Sequence, residues 1–164
     1  MDILLEELTG GLPDWTQFTR FVIRLVAAML LGAIVGYERE RAGKAAGLRT
    51  HMLVAMGSTL LIISCAAAEL SVDGISRAVQ GIITGIGFIG AGAILKRSDE
   101  GEIEGLTTAA GIFMTAATGV AVGLGLIGLA LLSVLMTWVV LGVLGIVSAR
   151  ISMKNATSAD DAKR

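Results

Sequence analysis

Between Leu106 and Ser148 the chain carries no Asp, Glu, Lys or Arg at all, and nothing else in the sequence constrains its fold as strongly. The stretch is about twice the ~20 apolar residues that one membrane-crossing helix needs. Gly123 and Gly125 mark the expected turn inside it, which gives two spans of about 106–122 and 125–148. Three further apolar stretches precede it, at about Phe21–Tyr37, Thr50–Leu70 and Ile75–Leu95. Only 16% of the residues are charged, against about 25% in a soluble domain. A soluble globular fold is excluded. The sequence predicts an all-α polytopic membrane protein with five transmembrane helices.

The same inventory removes several function classes. A lone cysteine, Cys65, cannot form an internal disulfide, and a lone histidine, His51, offers no multi-histidine metal site. A net charge of -1 gives no reason to expect nucleic acid as a partner. The GxGxxG match at Gly85–Gly90 lies inside an apolar span without a preceding strand, so a dinucleotide has no βαβ unit to bind. The hydroxyls of the spans read as helix-packing groups without a histidine base beside them. No catalytic residue, cofactor or metal ligand is therefore expected.

Short cytoplasmic loops retain Lys and Arg. With five spans, Arg39, Arg41, Lys44, Arg49, Lys96, Arg97, Arg150, Lys154, Lys163 and Arg164 fall on one side, and Arg20, Arg24 and Arg77 on the other. This asymmetry predicts the N-terminus outside and the C-terminus in the cytoplasm. Residues 1–17 are then an outer N-terminal segment, 18–149 the membrane domain, and 150–164 a short cytoplasmic tail. The first segment lacks the basic start of a signal peptide.

The two cytoplasm-facing hairpins match at an offset of 58 residues: Gly32, Arg39, Gly47, Leu48 and Thr50 align with Gly90, Arg97, Gly105, Leu106 and Thr108. Spans one–two and three–four are thus expected to form a parallel internal repeat. Thr50 and Thr108 are the expected N-caps of spans two and four. Gly32, Gly36, Gly81, Gly85, Gly87, Gly90 and Gly92 offer small-residue faces for close helix approach. The rival reading of the third span is a locally broken helix lining a cavity, with Gln80 and Thr84 as its polar lining.

The run RLVAAMLLGAIVGYERERAGKAAGLRTHMLVAMGSTL (Arg24–Leu60), GIGFIGAGAI (Gly85–Ile94) and GLTTAAGIFMTAATGVAVGLG (Gly105–Gly125) resembles the MgtC/SapB family of bacterial membrane proteins. Phe113 stands where many relatives carry tryptophan. The resemblance implies a bacterial inner-membrane protein, with some members associated with magnesium limitation and survival inside host cells. Several members carry a soluble domain after the last helix, whereas here a short tail is expected. By motif position the candidate interaction residues are Glu38, Arg39, Glu40, Lys44, Gly47, Leu48, Arg49, Thr50 and His51, joined by Thr107 and Thr108 of the second hairpin. Glu40 and Lys44 have i,i+4 spacing if the first helix extends into the cytoplasm. Arg39, Lys44 and Arg49 are placed to meet anionic headgroups, and His51 is expected at the membrane interface.

These features predict a non-enzymatic inner-membrane protein that modulates membrane machinery or ion homeostasis. The alternative is a transporter of magnesium or another small solute. The expected partners are the lipid bilayer and other membrane proteins or further copies of the chain.

Overall fold

The structure, a computed structural model, describes residues 14–96 and 103–143. Five helices follow one another: α1 (Trp15–Arg41), α2 (Leu48–Ala67), α3 (Val72–Ala93), α4 (Leu106–Gly123) and α5 (Ile127–Trp138). A π-helical turn, Val139–Val143, extends α5. A two-residue antiparallel ladder, Leu95–Lys96 with Ile103–Glu104, closes the α3–α4 connection. The expected all-α fold is observed, with four helices, α1 to α4, long and apolar enough to cross a membrane. The described part of α5 is shorter, and the remainder of the fifth span expected to reach Ser148 lies outside the described residues. The expected outer segment also lies largely outside them, and its residues 15–17 belong to α1. The expected tail lies wholly outside them.

Where the helices begin departs from the sequence reading. Thr50 and Thr108 are not caps: α2 starts at Leu48 after an extended Gly47, and α4 starts at Leu106 after Gly105. Gly105 has φ +94°, and a Cβ there would collide with the Ala93 carbonyl. The conformation and the close approach both require glycine. The cap of α2 comes from another helix, because Glu40 Oε2 accepts a 2.8 Å bond from the Leu48 amide. Glu40 therefore does not form the expected pair with Lys44, which lies beyond the end of α1 at Arg41. Ser71 caps α3 by accepting from the Gly74 amide at 3.3 Å, with Asp73 in the first turn, where the helix dipole favours an acid.

α4 is the central helix, with over half of its span buried. Helix association in lipid draws on packing and interhelical hydrogen bonds more than on hydrophobic burial. Two glycine pairs bring backbones together. A Cβ at Gly32 would lie 2.6 Å from the His51 carbonyl, and one at Gly36 2.7 Å from Leu48 Cα, so α1 and α2 run antiparallel in close contact. Gly119 lies against Ala55 and Gly123 against Ile62, so α4 runs parallel to α2. Around these contacts, Ala28, Leu31 and Val35 of α1 pack with Ala55, Val122, Ala130 and Val134. A second cluster joins Ile62 and Ala46 to Ile82, Ile86, Ile112 and Ala116.

The third helix behaves differently. A Cβ added at Gly81, Gly85, Gly87 or Gly92 would meet nothing within 4 Å, and only Gly90 of that stripe touches a neighbour, at 3.5 Å from Ala109 Cβ. Close helix approach through Gly81, Gly85, Gly87 and Gly92 within the chain is thus not observed. Nor is α3 broken, for it is helical from Val72 to Ala93. The physical reason is that Ile82 and Ile86 face the bundle, which turns most of the glycines away from it.

Candidate functional site

Glu38 and Arg39 lie in the last turn of α1, beyond the expected end of the first span at Tyr37. Here the Arg39 side chain is 4% exposed and Glu38's 16%. Arg39 Nε and Nη2 both donate to the Glu38 carboxylate, the Nη2 bond at 2.7 Å, in a two-pronged ion pair. Nη2 also lies 3.5 Å from the Leu141 carbonyl in the π turn after α5. A π turn shifts the helical bonding register and often occurs at functional sites. Arg39 is therefore internal and does not meet headgroups, contrary to the expectation from charge alone.

His51, in the first turn of α2, is fully buried within the bundle. Gly32 makes room for its backbone, and Gly111 faces its ring, where a Cβ would make ordinary contact at 3.6 Å from Cε1. His51 Nδ1 lies 2.7 Å from Thr115 Oγ1. The Thr115 hydroxyl also lies 2.9 Å from the Gly111 carbonyl, and the ring tautomer sets which of the two partners of the Nδ1–Oγ1 contact donates. Nε2 is buried with no hydrogen-bond partner among the described residues. A buried ring nitrogen without a partner costs about 1–3 kcal/mol.

The remaining sequence candidates separate clearly. Thr108 is buried beside this end of the bundle, Thr107 and Arg49 are exposed, and Leu48, Thr50 and Gly47 are half-buried. Lys44 is exposed in the α1–α2 turn. Gln80 and Thr84 lie on the exposed side of α3. Gly81 and Gly85 line an apolar groove of about 600 Å³ between α2 and α3, together with Gly57 and Leu61. The Lys96, Arg97, Glu100 and Glu102 side chains of the second loop lie outside the described residues.

Deeper in the bundle the polar groups bond to one another. Thr59 donates to the Gly119 carbonyl at 2.7 Å, Thr118 and Ser133 meet at 2.9 Å, and Thr137 donates to the Ser133 carbonyl at 2.7 Å. At the opposite end Arg24 Nη1 donates to the Gly123 carbonyl at 2.8 Å, so this arginine meets the C-terminus of α4, where the helix dipole favours a cation. Sequence reasoning did not single out Thr115, Gly111 or Leu141. The one available signal was the glycine–hydroxyl spacing in α4, which reads equally well as ordinary packing.

A bundle of apolar helices of membrane-spanning length, tied by close glycine contacts and internal hydroxyl bonds, defines the molecule as a polytopic helical membrane protein. The MgtC family model matches residues 25–150, and the chain belongs to the MgtC family. It is 44% identical over 135 residues to "Protein SrpB" of Synechococcus elongatus, a match covering 76% of this chain and 72% of that protein. It is also 44% identical over 142 residues to "Putative magnesium transporter YhiD" of Escherichia coli, covering 82% of this chain and 65% of that one. Against "Protein MgtC" of Salmonella typhimurium the identity is 43% over 105 residues, covering 64% and 44% respectively. The matched region thus spans under two thirds of YhiD and under half of MgtC. No solved structure shows a significant match to the chain.

Proposed function

We propose that this protein is a non-enzymatic regulator in the bacterial inner membrane, acting on other membrane machinery or on ion homeostasis under magnesium limitation. The observation that carries this reading is the buried Glu38–Arg39 pair joined to the Leu141 carbonyl beside His51. Through Arg39 Nη2 it links the last turn of α1 to the π turn after α5, an arrangement suited to passing movement of one helix end to the other. Both carboxylate oxygens of Glu38 accept from Arg39, whose charge beside them disfavours a second cation at that carboxylate. The closely apposed backbones of α1, α2 and α4 favour a solid core over a conduit. The second reading, magnesium transport, draws on the name of the YhiD relative.

In this reading the five helices cross the membrane with the α1–α2 and α3–α4 turns in the cytoplasm. A parallel repeat is supported by helix starts at Leu48 and Leu106, 58 residues apart, and by the equivalent contacts Gly32–His51 and Gly90–Ala109. The parallel course of α2 and α4 supports it as well. Reporter fusions after Lys44 and Lys154 are expected to report cytoplasm, and a fusion after Asp73 the outside. A cytoplasmic result at Asp73 would remove this topology.

The functional test uses the full chain in two settings. Liposomes loaded with a magnesium indicator are expected to show no flux above empty vesicles. Bacteria lacking their own copy are expected to grow at low magnesium when given the wild-type chain but not Arg39→Ala expressed at equal level. Protein-dependent magnesium flux in the liposomes would establish the transport reading instead.

A further inference from the structure

Along α3, Asp73, Arg77, Gln80, Thr84, Gly87 and Ala91 are spaced alternately by four and three residues, and all six are exposed. That period keeps one stripe facing a neighbouring helix over the length of a span. Apart from Ser76, the stripe gathers the polar side chains of an otherwise apolar helix, on a side turned away from the buried Ile82 and Ile86. Gln80 lies within about 4 Å of the helix midpoint at 1.5 Å rise per residue, the depth at which hydrocarbon surrounds a spanning helix. Its carboxamide has no hydrogen-bond partner among the described residues, and neither Asp73 nor Arg77 has an ion-pair partner there. Uncovered carboxamides at such depth are costly, because lipid supplies neither donor nor acceptor.

We propose that this stripe is the contact surface for a second copy of the chain, related by a two-fold axis along the membrane normal. Chemistry selects that occupant. A carboxamide is self-complementary, so Gln80 and Gln80 of the partner subunit each donate one N–H and accept one. The same axis sets Asp73 beside Arg77 of the partner subunit and repeats the pair in reverse, so the charges at the α2–α3 end are matched by symmetry. Farther along, Gly87 and Ala91 have no bulky side chain, and the two backbones close together there. The groove with Gly81 and Gly85 lies on the flank of this stripe and is not part of the contact.

The test uses the full chain in lipid vesicles of inner-membrane composition and does not depend on the flux result. In a Cys65→Ser background, single cysteines at positions 80, 84, 87 and 91 are expected to form intermolecular disulfides on oxidation, and cysteines at Ile83 and Ile89 are not. Energy transfer between labelled copies on lipid dilution gives the association constant. Gln80→Leu is expected to weaken dimerisation by about 5- to 30-fold, and Gln80→Asn to retain most of it. Unchanged helicity of Gln80→Leu by circular dichroism separates loss of association from loss of fold. A monomer at all densities, unchanged association of Gln80→Leu, cross-linking without the four-three period, or cross-links formed only to another protein would each overturn the proposal.

Discussion

The Nδ1 atom of His51 lies 2.7 Å from the hydroxyl oxygen of Thr115, joining two parallel helices across 64 residues of chain. Thr115→Val keeps the side-chain shape but leaves Nδ1 without its hydrogen-bond partner. Loss of a buried partner costs about 1–3 kcal/mol, so the thermal midpoint in detergent is expected to fall, while Thr115→Ser retains most of the stability. Equal midpoints for Thr115→Val and the wild type would show that the bond adds nothing to the fold.

Arg39 and Glu38 form a second test. Arg39→Ala strands a carboxylate that is only 16% exposed, and breaking such a pair at one partner costs about 3–5 kcal/mol when burial is complete. The residual exposure of Glu38 places the expected loss at or below the lower end of that range. The double variant Glu38→Ala/Arg39→Ala is expected to be more stable than Arg39→Ala alone, as read from thermal unfolding of the three proteins. A double variant no better than the single one would mean that the pair contributes packing rather than charge balance.

Glycine substitutions are expected to divide by position. Gly119→Ala and Gly123→Ala drive a methyl into the backbone or side chains of α2, and overpacking costs about 1–3 kcal/mol. Gly92→Ala meets nothing within 4 Å and is expected to leave monomer stability unchanged or slightly raised, because alanine favours helix over glycine. Equal losses at Gly92 and Gly119 in the detergent-solubilised monomer would contradict the observed packing.

At the other end of the bundle, Gly125 has φ +85°, and a Cβ there would lie 2.7 Å from Arg24 Nη2. Gly125→Ala is therefore expected to cost at least ~1 kcal/mol through backbone strain. Arg24→Met removes the bond to the Gly123 carbonyl and is expected to increase amide hydrogen exchange in the last turn of α4. Unaltered exchange at Val122 and Gly123 would show that Arg24 does not hold that terminus.

The site was partly legible before the fold. The motif from Glu38 to His51 was found by its residues, and its glycines and leucines do mark where helices begin. The cap assignments failed for a local reason: Glu40, eight residues from the amide it caps, serves Leu48, so Thr50 has no free role at the helix start. Which of the α3 glycines pack within the chain is not legible in composition, because composition does not reveal which way a helix faces. Ile82 and Ile86 decide that, by packing against Ile112 and Ala116.

By itself the sequence determined that the chain is a bundle of apolar helices and where most of them lie, because length, charge-free runs and turn glycines act locally. It also carried the family, through contiguous motifs. The burial of Arg39 and His51 was decided only by tertiary structure. Their charges and positions assign them to a surface, yet the groups that enclose them, the Leu141 carbonyl 102 residues away and the Thr115 hydroxyl 64 residues away, are brought there by the packing of α4 and α5. A polar side chain is stable inside a membrane bundle only when distant backbone and hydroxyl groups converge on it, and no local pattern encodes that convergence.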